Sequence, residues 1–396
     1  MFETLPKFSP DPILALIDSY AADQRKTKVD FGVGVYKTND GLTPVMDCVK
    51  QAEASLVREQ TSKAYLGSGG NAEFTKLAKQ LILGKELYNK VGDNVIGFQA
   101  VGGTGALRLA GDLVANSKPS NAIWLGMPTW PNHLSIFQKA GLELKQYSYC
   151  DPMAQQINFE ELLSSAAATS PGDAFLIHAC CHNPSGLDLN AEQLDILLSQ
   201  LHANGAVPIV DCAYAGFARG FEDDLAAVRK VISRFDEAIV AFSFSKNFSL
   251  YRERIGILLV KCSDSTILNN VRLALANIAR TSYSMPPDHG ASIVANVLGN
   301  PDLFKLWNTE LEQIRQSIIR KRSRLADYKT NHNALRGLTK QTGMFSLLPI
   351  SKELVPILRQ EYGIYMTSDA RINILGVSDE METYFVSSLG RALERN

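Results

Sequence analysis

No apolar run in this chain approaches the roughly 18 residues that a membrane-crossing helix needs. The opening residues, MFETLPKFSPDP, contain neither the basic nor the apolar stretch of a secretory signal, so a cytoplasmic protein is expected. Charge of one sign is lacking too. Forty Lys and Arg meet 41 Asp and Glu, and a net charge of −1 gives no field to draw nucleic acid or an anionic membrane. Cysteine is sparse and scattered: Cys48, Cys150, Cys180, Cys181, Cys212 and Cys262 form no CxxC pair and no zinc spacing. Reduced, mostly buried thiols and no metal are the expectation. Internal repeats, low-complexity tracts and Pro/Ser-rich linkers are absent from the sequence. So are GxGxxG and a Walker loop, which speaks against a nicotinamide dehydrogenase and a P-loop enzyme.

What is present is an ordinary large core. Of 396 residues, 45% are hydrophobic and 20% charged, a length that suits two or three domains. An amphipathic helix is predicted over 12–22, with Asp11 as its N-cap and Pro12 in its first position. VDFGVGVY comes next as a short strand in which Gly32 and Gly34 mark either a bulge or a close backbone approach. From about 45 to 300, near-continuous apolar runs alternate with helical periodicity. The runs are 95–100, 122–125, 174–178, 207–210, 239–242 and 255–261. That alternation predicts an α/β architecture with a doubly wound, mostly parallel sheet covered on both faces. Residues 302–330 read as one long amphipathic helix, with the basic run at 320–324 as its solvated face. Short strands are expected in MFSLL, GIYMT and RINIL. The expected division is a large domain over 45–310 and a smaller α+β domain from 1–44 plus 311–396.

Ligands of open α/β sheets bind beyond the carboxyl ends of the strands. The residues just past each run are therefore informative. After 95–100 come Gly102, Gly103 and Thr104 at the start of a helix, where free amides and the helix dipole favour an anion such as one phosphate. After 122–125 come Trp130, able to stack on a flat ring, and His133. The turn after 174–178 offers Asn183. The run 207–210 ends in Asp211, a carboxylate that needs a partner if buried, with Tyr214 three residues on. The run 239–242 leads to Ser243 and then Lys246, whose amine would lose its proton more readily against an apolar strand end. Arg254 lies eight residues further on. A lysine for a Schiff base, an acid for a ring nitrogen and an anchored phosphate are the needs of pyridoxal phosphate.

These segments resemble a known family. MFE, GVGVYK, YLG, GGTGALR, PTWPNH, CCHNPSG, DCAYAGFARG, SFSKNFSLYRERIG, SYSMPPDHGA, QTGMFS and ARIN occur in order. Together they are similar to the class I, fold-type I aminotransferases of the bacterial aspartate and aromatic amino-acid group, over essentially the whole chain. The resemblance implies pyridoxal 5'-phosphate as cofactor and a homodimer with shared sites, clasped by the N-terminal arm. It implies that Lys246 binds the cofactor covalently and moves the proton. Asp211 would pair with the ring nitrogen, supported by His133. Tyr214 and Asn183 would reach the ring oxygen, and Trp130 would stack on the ring. Gly103, Thr104, Ser243 and Arg254 would hold the phosphate, joined by Tyr65 of the neighbouring subunit. Gly34 would lie over the substrate. Arg371 would grip its α-carboxylate, and Arg280 would cross from the partner to a distal carboxylate.

Departures from the family pattern concern specificity. Met285 stands where aspartate enzymes of the group usually carry Asn and aromatic ones often Ser. Ala215 replaces a common Gln, and Arg252 a common Asn or Gly. Val35, Lys37, Thr43 and Thr104 match the aspartate branch. The expected activity is ping-pong transfer of an amino group from L-aspartate to 2-oxoglutarate, with aromatic amino acids as further donors. An enzyme acting mainly on aromatic amino acids, and a lyase or decarboxylase on the same fold, are the alternatives.

Overall fold

The structure is a computed structural model that describes residues 2–5, 12–117, 122–330 and 332–395. Its centre is a seven-stranded sheet built from β1 (Val95–Val101), β2 (Ala122–Met127), β3 (Glu143–Ser148), β4 (Ala174–His178), β5 (Val207–Cys212), β6 (Ala238–Ser243) and β7 (Ile255–Lys261). Their order across the sheet is β1-β7-β6-β5-β4-β2-β3. Only β7 runs against its neighbours; the other pairings are parallel. The strands are apolar on both sides because helices cover both faces. Val210, Val240, Phe242, Ile257 and Leu259 point into one core, while Ile209, Ile239, Ala241, Leu258 and Val260 point into the other.

All six predicted strands are present. The seventh, β3, is an edge strand of sequence ELKQYS with one buried residue, Tyr147. An edge strand needs no continuous apolar run, so the pattern that reveals the interior strands passes it by. VDFGVGVY is a strand only over Val29–Asp30, which pairs in parallel with Ile364–Tyr365. Beyond it the backbone leaves the sheet and is held by side chains. Arg371 Nη2 donates to Gly32 O at 3.0 Å, and Asn373 Nδ2 donates to Val33 O and Val35 O at 2.7 and 2.8 Å. Phe345–Leu347 pairs antiparallel with Arg371–Asn373, so the predicted short strands in MFSLL, GIYMT and RINIL all form. The helix Pro12–Ala22 is present, while its expected cap, Asp11, lies outside the described residues.

The long helix spans Pro301–Asp327, with Asn300 accepting from the Asp302 and Leu303 amides. Its basic run corrects an expectation. Lys321 and Arg322 are buried rather than solvated. Lys321 Nζ pairs with Asp379 and Glu382 at 2.5 and 2.7 Å. Arg322 donates to the carbonyls of Leu338, Thr342, Gly343 and Phe345 and to Ser346 Oγ, at 2.6 to 3.0 Å. Burial pulls its guanidinium down to about 10, against weaker opposing pulls from Cys181 and Asp188. The periodicity of the helix survives this, because both residues lie beside Ile318 and Leu325 on the inward face. A third apolar core lies around Phe31, Leu325, Leu358, Ile372 and Phe385.

Arg322 thereby fastens the loop that delivers Phe345. Arg322→Met removes every one of those donors while keeping the apolar stem. Leaving several interior carbonyls unpaired should cost about 3 kcal/mol or more. A clear drop in the urea midpoint is the expected result, and an unchanged midpoint would refute the role.

Candidate active site

The carboxyl ends of β1, β2, β4, β5 and β6 all reach one edge of the sheet. There they open onto a cavity of about 190 Å³. Because β7 runs the other way, its beginning lies at the same edge, and Arg254 sits immediately before it. Gly34, Gly103, Thr104, Trp130, Asn183, Asp211, Tyr214, Ser243, Lys246, Arg254 and Arg371 all line the cavity. Each of these residues stands out in the sequence, by its place after a strand or by family resemblance.

Lys246 leaves β6 through Ser243 and Ser245, and its Nζ lies 5.1 Å from the centre of the Tyr214 ring. Burial lowers its pKa to about 8. Asp211 pulls the other way, and Arg254 lowers it further. Asp211, the penultimate residue of β5, is buried and accepts from or shares a proton with His133, at 3.1 Å between Oδ2 and Nε2. Burial pushes its carboxyl up, but the His133 hydrogen bond and the nearby Lys246 ammonium prevail, so it stays below the usual range. Behind it runs a buried chain that the sequence pattern does not reveal. His133 Nδ1 is 2.8 Å from Thr129 Oγ1, which is 3.2 Å from His178 Nε2. Burial holds His178 down to about 3, so it is neutral.

The anion cradle is backbone. The helix Gly102–Ser117 begins directly at the end of β1, leaving its first amides without intrahelical partners. Gly102 has φ +67°, and a Cβ there would stand 2.5 Å from Arg254 Nη2. A side chain at that position would therefore displace the guanidinium from the helix N-terminus. Arg254 itself adopts φ +56° and donates from Nη1 to Tyr251 O at 3.0 Å.

Arg371 forms the opposite wall. Nη1 donates to Asn183 Oδ1 at 3.4 Å, and the guanidinium lies 4.3 Å from the centre of the Phe345 ring. Burial depresses its pKa, against opposing pulls from Tyr214 and Asp369. Its buried Nε has no hydrogen-bond partner. A buried guanidinium with a spare donor and no ion-pair partner among the described residues is built to receive a carboxylate.

Three residues lie elsewhere. Tyr65 is 94% exposed, and Arg280 is exposed with Nη1 on Ser284 Oγ at 2.6 Å. Met285 accepts the Leu66 amide through Sδ at 3.4 Å, which ties its loop to the one carrying Tyr65. None of the three lines this protomer's cavity. Conversely, Ile13, Leu107, Ala213, Ser245 and Phe345 line it without having been anticipated. Ser245 was legible from its place between Ser243 and Lys246. Ile13 and Phe345 arrive from remote segments and carry no local signal.

A buried, depressed lysine, a paired buried carboxylate, an amide cradle for an anion and an open guanidinium suit pyridoxal phosphate bound to an amino acid. That donor set defines a cofactor enzyme acting on amino groups. Comparison with known proteins gives the same answer. Residues 26–389 match the family model for aminotransferase class I and II. The chain is 43% identical to a tyrosine aminotransferase of Rhizobium meliloti, over 95% of this chain and 96% of that one. It is 40% identical to an aspartate aminotransferase of Salmonella typhi, over 96% and 97%. A solved aromatic-amino-acid aminotransferase from Burkholderia pseudomallei, covalently bound to pyridoxal phosphate, superposes with a TM-score of 0.94 at 35% identity, over 99% of both chains. The chain belongs to the class I and II aminotransferases. It is a pyridoxal-phosphate-dependent enzyme of fold type I.

The Lys246 amine is mostly protonated, and so not nucleophilic, below its pKa of about 8, and free above it. Attachment of an added aldehyde to the cofactor-free protein, trapped by reduction, should therefore rise with pH around a midpoint near 8. A midpoint in the ordinary lysine range, near 10.4, would contradict the desolvated setting.

Proposed function

We infer that the enzyme transfers an amino group from L-aspartate to 2-oxoglutarate in two half-reactions at one site, with aromatic amino acids as further donors. The observation that carries this reading is Arg371, buried beside Lys246 with its Nε unpartnered. An amino acid whose carboxylate meets that guanidinium places its amino group toward the lysine. When bound, pyridoxal phosphate supplies the aldehyde that accepts the amino group and a ring that withdraws electrons from Cα. The chain's own groups do the rest. Gly103, Thr104, Ser243 and Arg254 would hold the phosphate through amides, hydroxyls and a guanidinium. Asp211, fixed by His133, would keep a proton on the ring nitrogen. Tyr214 and Asn183 would reach the ring oxygen, and Trp130 would pack on the ring face. Lys246 carries the proton to and from Cα, a task suited to an amine with pKa near the working pH. Gly34, held by the Arg371 and Asn373 contacts on its segment, covers the substrate.

Arg280 selects a second carboxylate, and Tyr65 adds a hydroxyl to the phosphate. Both act across the interface of a homodimer, which accounts for their exposure and their distance from this protomer's cavity. The larger unit, 45–310, holds the cofactor. The smaller, 1–44 with 311–396, carries Gly34 and Arg371. The protein works in the cytoplasm. Val35, Lys37, Thr43 and Thr104 favour aspartate; Lys37 is paired with Asp30 at 2.8 Å.

Aspartate and 2-oxoglutarate given to the enzyme should yield oxaloacetate and glutamate in equal amounts. Alanine, ammonia or pyruvate as the main product would instead mark a decarboxylase or lyase. Steady-state comparison of aspartate with phenylalanine also tests Met285. Its thioether cannot donate a hydrogen bond, whereas an amide can. Met285→Asn should therefore raise the aspartate-to-phenylalanine ratio of kcat/KM by roughly tenfold, the worth of about 1.4 kcal/mol. An unchanged ratio would remove this position from the specificity set.

A further inference from the structure

The thiols that the cysteine pattern left unassigned meet behind the active site. Cys180 and Cys181 lie in the loop after β4, Cys212 ends β5, and Asp224 ends the short helix Phe221–Asp224. The Cys180 and Cys181 sulfurs and an Asp224 oxygen all lie within 4.8 Å of one another, and all three residues are buried. Two soft donors and one carboxylate therefore converge from two chain segments. No linear spacing rule can find such a set.

We propose that Cys180 and Cys181, with Asp224 beside them, form a binding site for a soft, thiophilic metal ion. Thiolate ligands select such ions over hard ones. On binding, a divalent ion displaces the two thiol protons to solvent and forms two metal–sulfur bonds, with no change of oxidation state. Asp224 has room for it. Its oxygens accept the amides of Gly216, Ala218 and Arg219, each at 2.9 Å. A carboxylate offers about four acceptor directions, so one remains. Gly343 packs directly against Cys181, and a Cβ on that glycine would fall 2.8 Å from Sγ, so only glycine lets the thiol sit there. Buried thiolate and carboxylate ligands need a compensating charge, which the incoming cation supplies.

Occupancy would reach the active site. Cys181 Sγ contacts Tyr214 O at 3.8 Å, and Cys181 stands two residues before Asn183.

The test is titration of the cofactor-loaded enzyme with Cd2+ alone. One ion should bind per chain, with thiolate-to-metal absorbance and release of about two protons. Cys180→Ser and Cys181→Ser should each weaken binding by at least roughly 100-fold, more than loss of an outer-shell partner does. Cys48→Ser, Cys150→Ser and Cys262→Ser should leave it unchanged. Absence of saturable binding, or full binding by the Cys180→Ser/Cys181→Ser double variant, overturns the proposal. Should those variants fail to fold, X-ray absorption at the cadmium edge of the unaltered enzyme counts the ligands. Two or more sulfur neighbours support the site, and fewer than two refute it.

Discussion

Lys246→Ala should lower transamination by at least about 10⁴-fold, the upper end of what one positioned acid–base group contributes. The loss should be that large because, on the proposed reading, the same amine both anchors the cofactor and carries the proton. The pocket offers no substitute at that spot. Asp211 is held by His133, and Arg254 and Arg371 do not release protons near neutrality. Added methylamine should restore part of the rate, since it supplies the missing base without the tether. Stability should move the other way. The folded protein holds this lysine at about 8, below its ordinary value. The ammonium is thus disfavoured by folding. The penalty is fully present below pH 8 and fades as pH rises toward 10.4. At pH 7 the cofactor-free Lys246→Ala protein should unfold at a higher urea concentration than its parent. Normal turnover by the variant would show that another residue is the base. A less stable cofactor-free variant would show that the lysine is not desolvated.

The strand ends were legible for a physical reason. Interior parallel strands must be apolar on both faces, so their limits and the polar residues just past them stand out in the sequence. Asp211, Ser243, Lys246 and Gly103 are such residues, and all of them line one cavity. What failed to show lies where tertiary context overrides a local pattern. Strand β3 is half wet and reads as a loop. Arg322 sits in a run of charges that resembles a solvated surface, yet it has a second role as a donor to backbone carbonyls. Thr129 and His178 act only through His133, where the stretch 129–133 meets the end of β4. Ile13 and Phe345 reach the cavity from residues more than 300 positions apart. Tyr65 and Arg280 were named through family resemblance, and a single protomer leaves them at its surface.

Arg371→Lys should cut kcat/KM roughly 10²- to 10³-fold for every amino acid tested, whatever its side chain. Lysine keeps the charge but not the fork. The contacts of Nη1 with Asn183 and of Nη2 with Gly32 hold the guanidinium plane, and a compact ammonium cannot make both while also meeting a carboxylate in two places. Truncating a buried, hydrogen-bonded charge pair costs about 2–5 kcal/mol, which sets that range. Arg280→Ala makes the contrasting case. It should depress aspartate and 2-oxoglutarate by a similar factor while leaving phenylalanine within about threefold. On the proposed reading its target is a distal carboxylate that phenylalanine lacks. The two variants together separate the roles. If Arg371→Lys harms only dicarboxylic substrates, then Arg371 is the distal grip and the amino acid binds the other way round. If Arg280→Ala harms phenylalanine as much as aspartate, the exposed arginine supports the fold or the interface instead of reading the substrate.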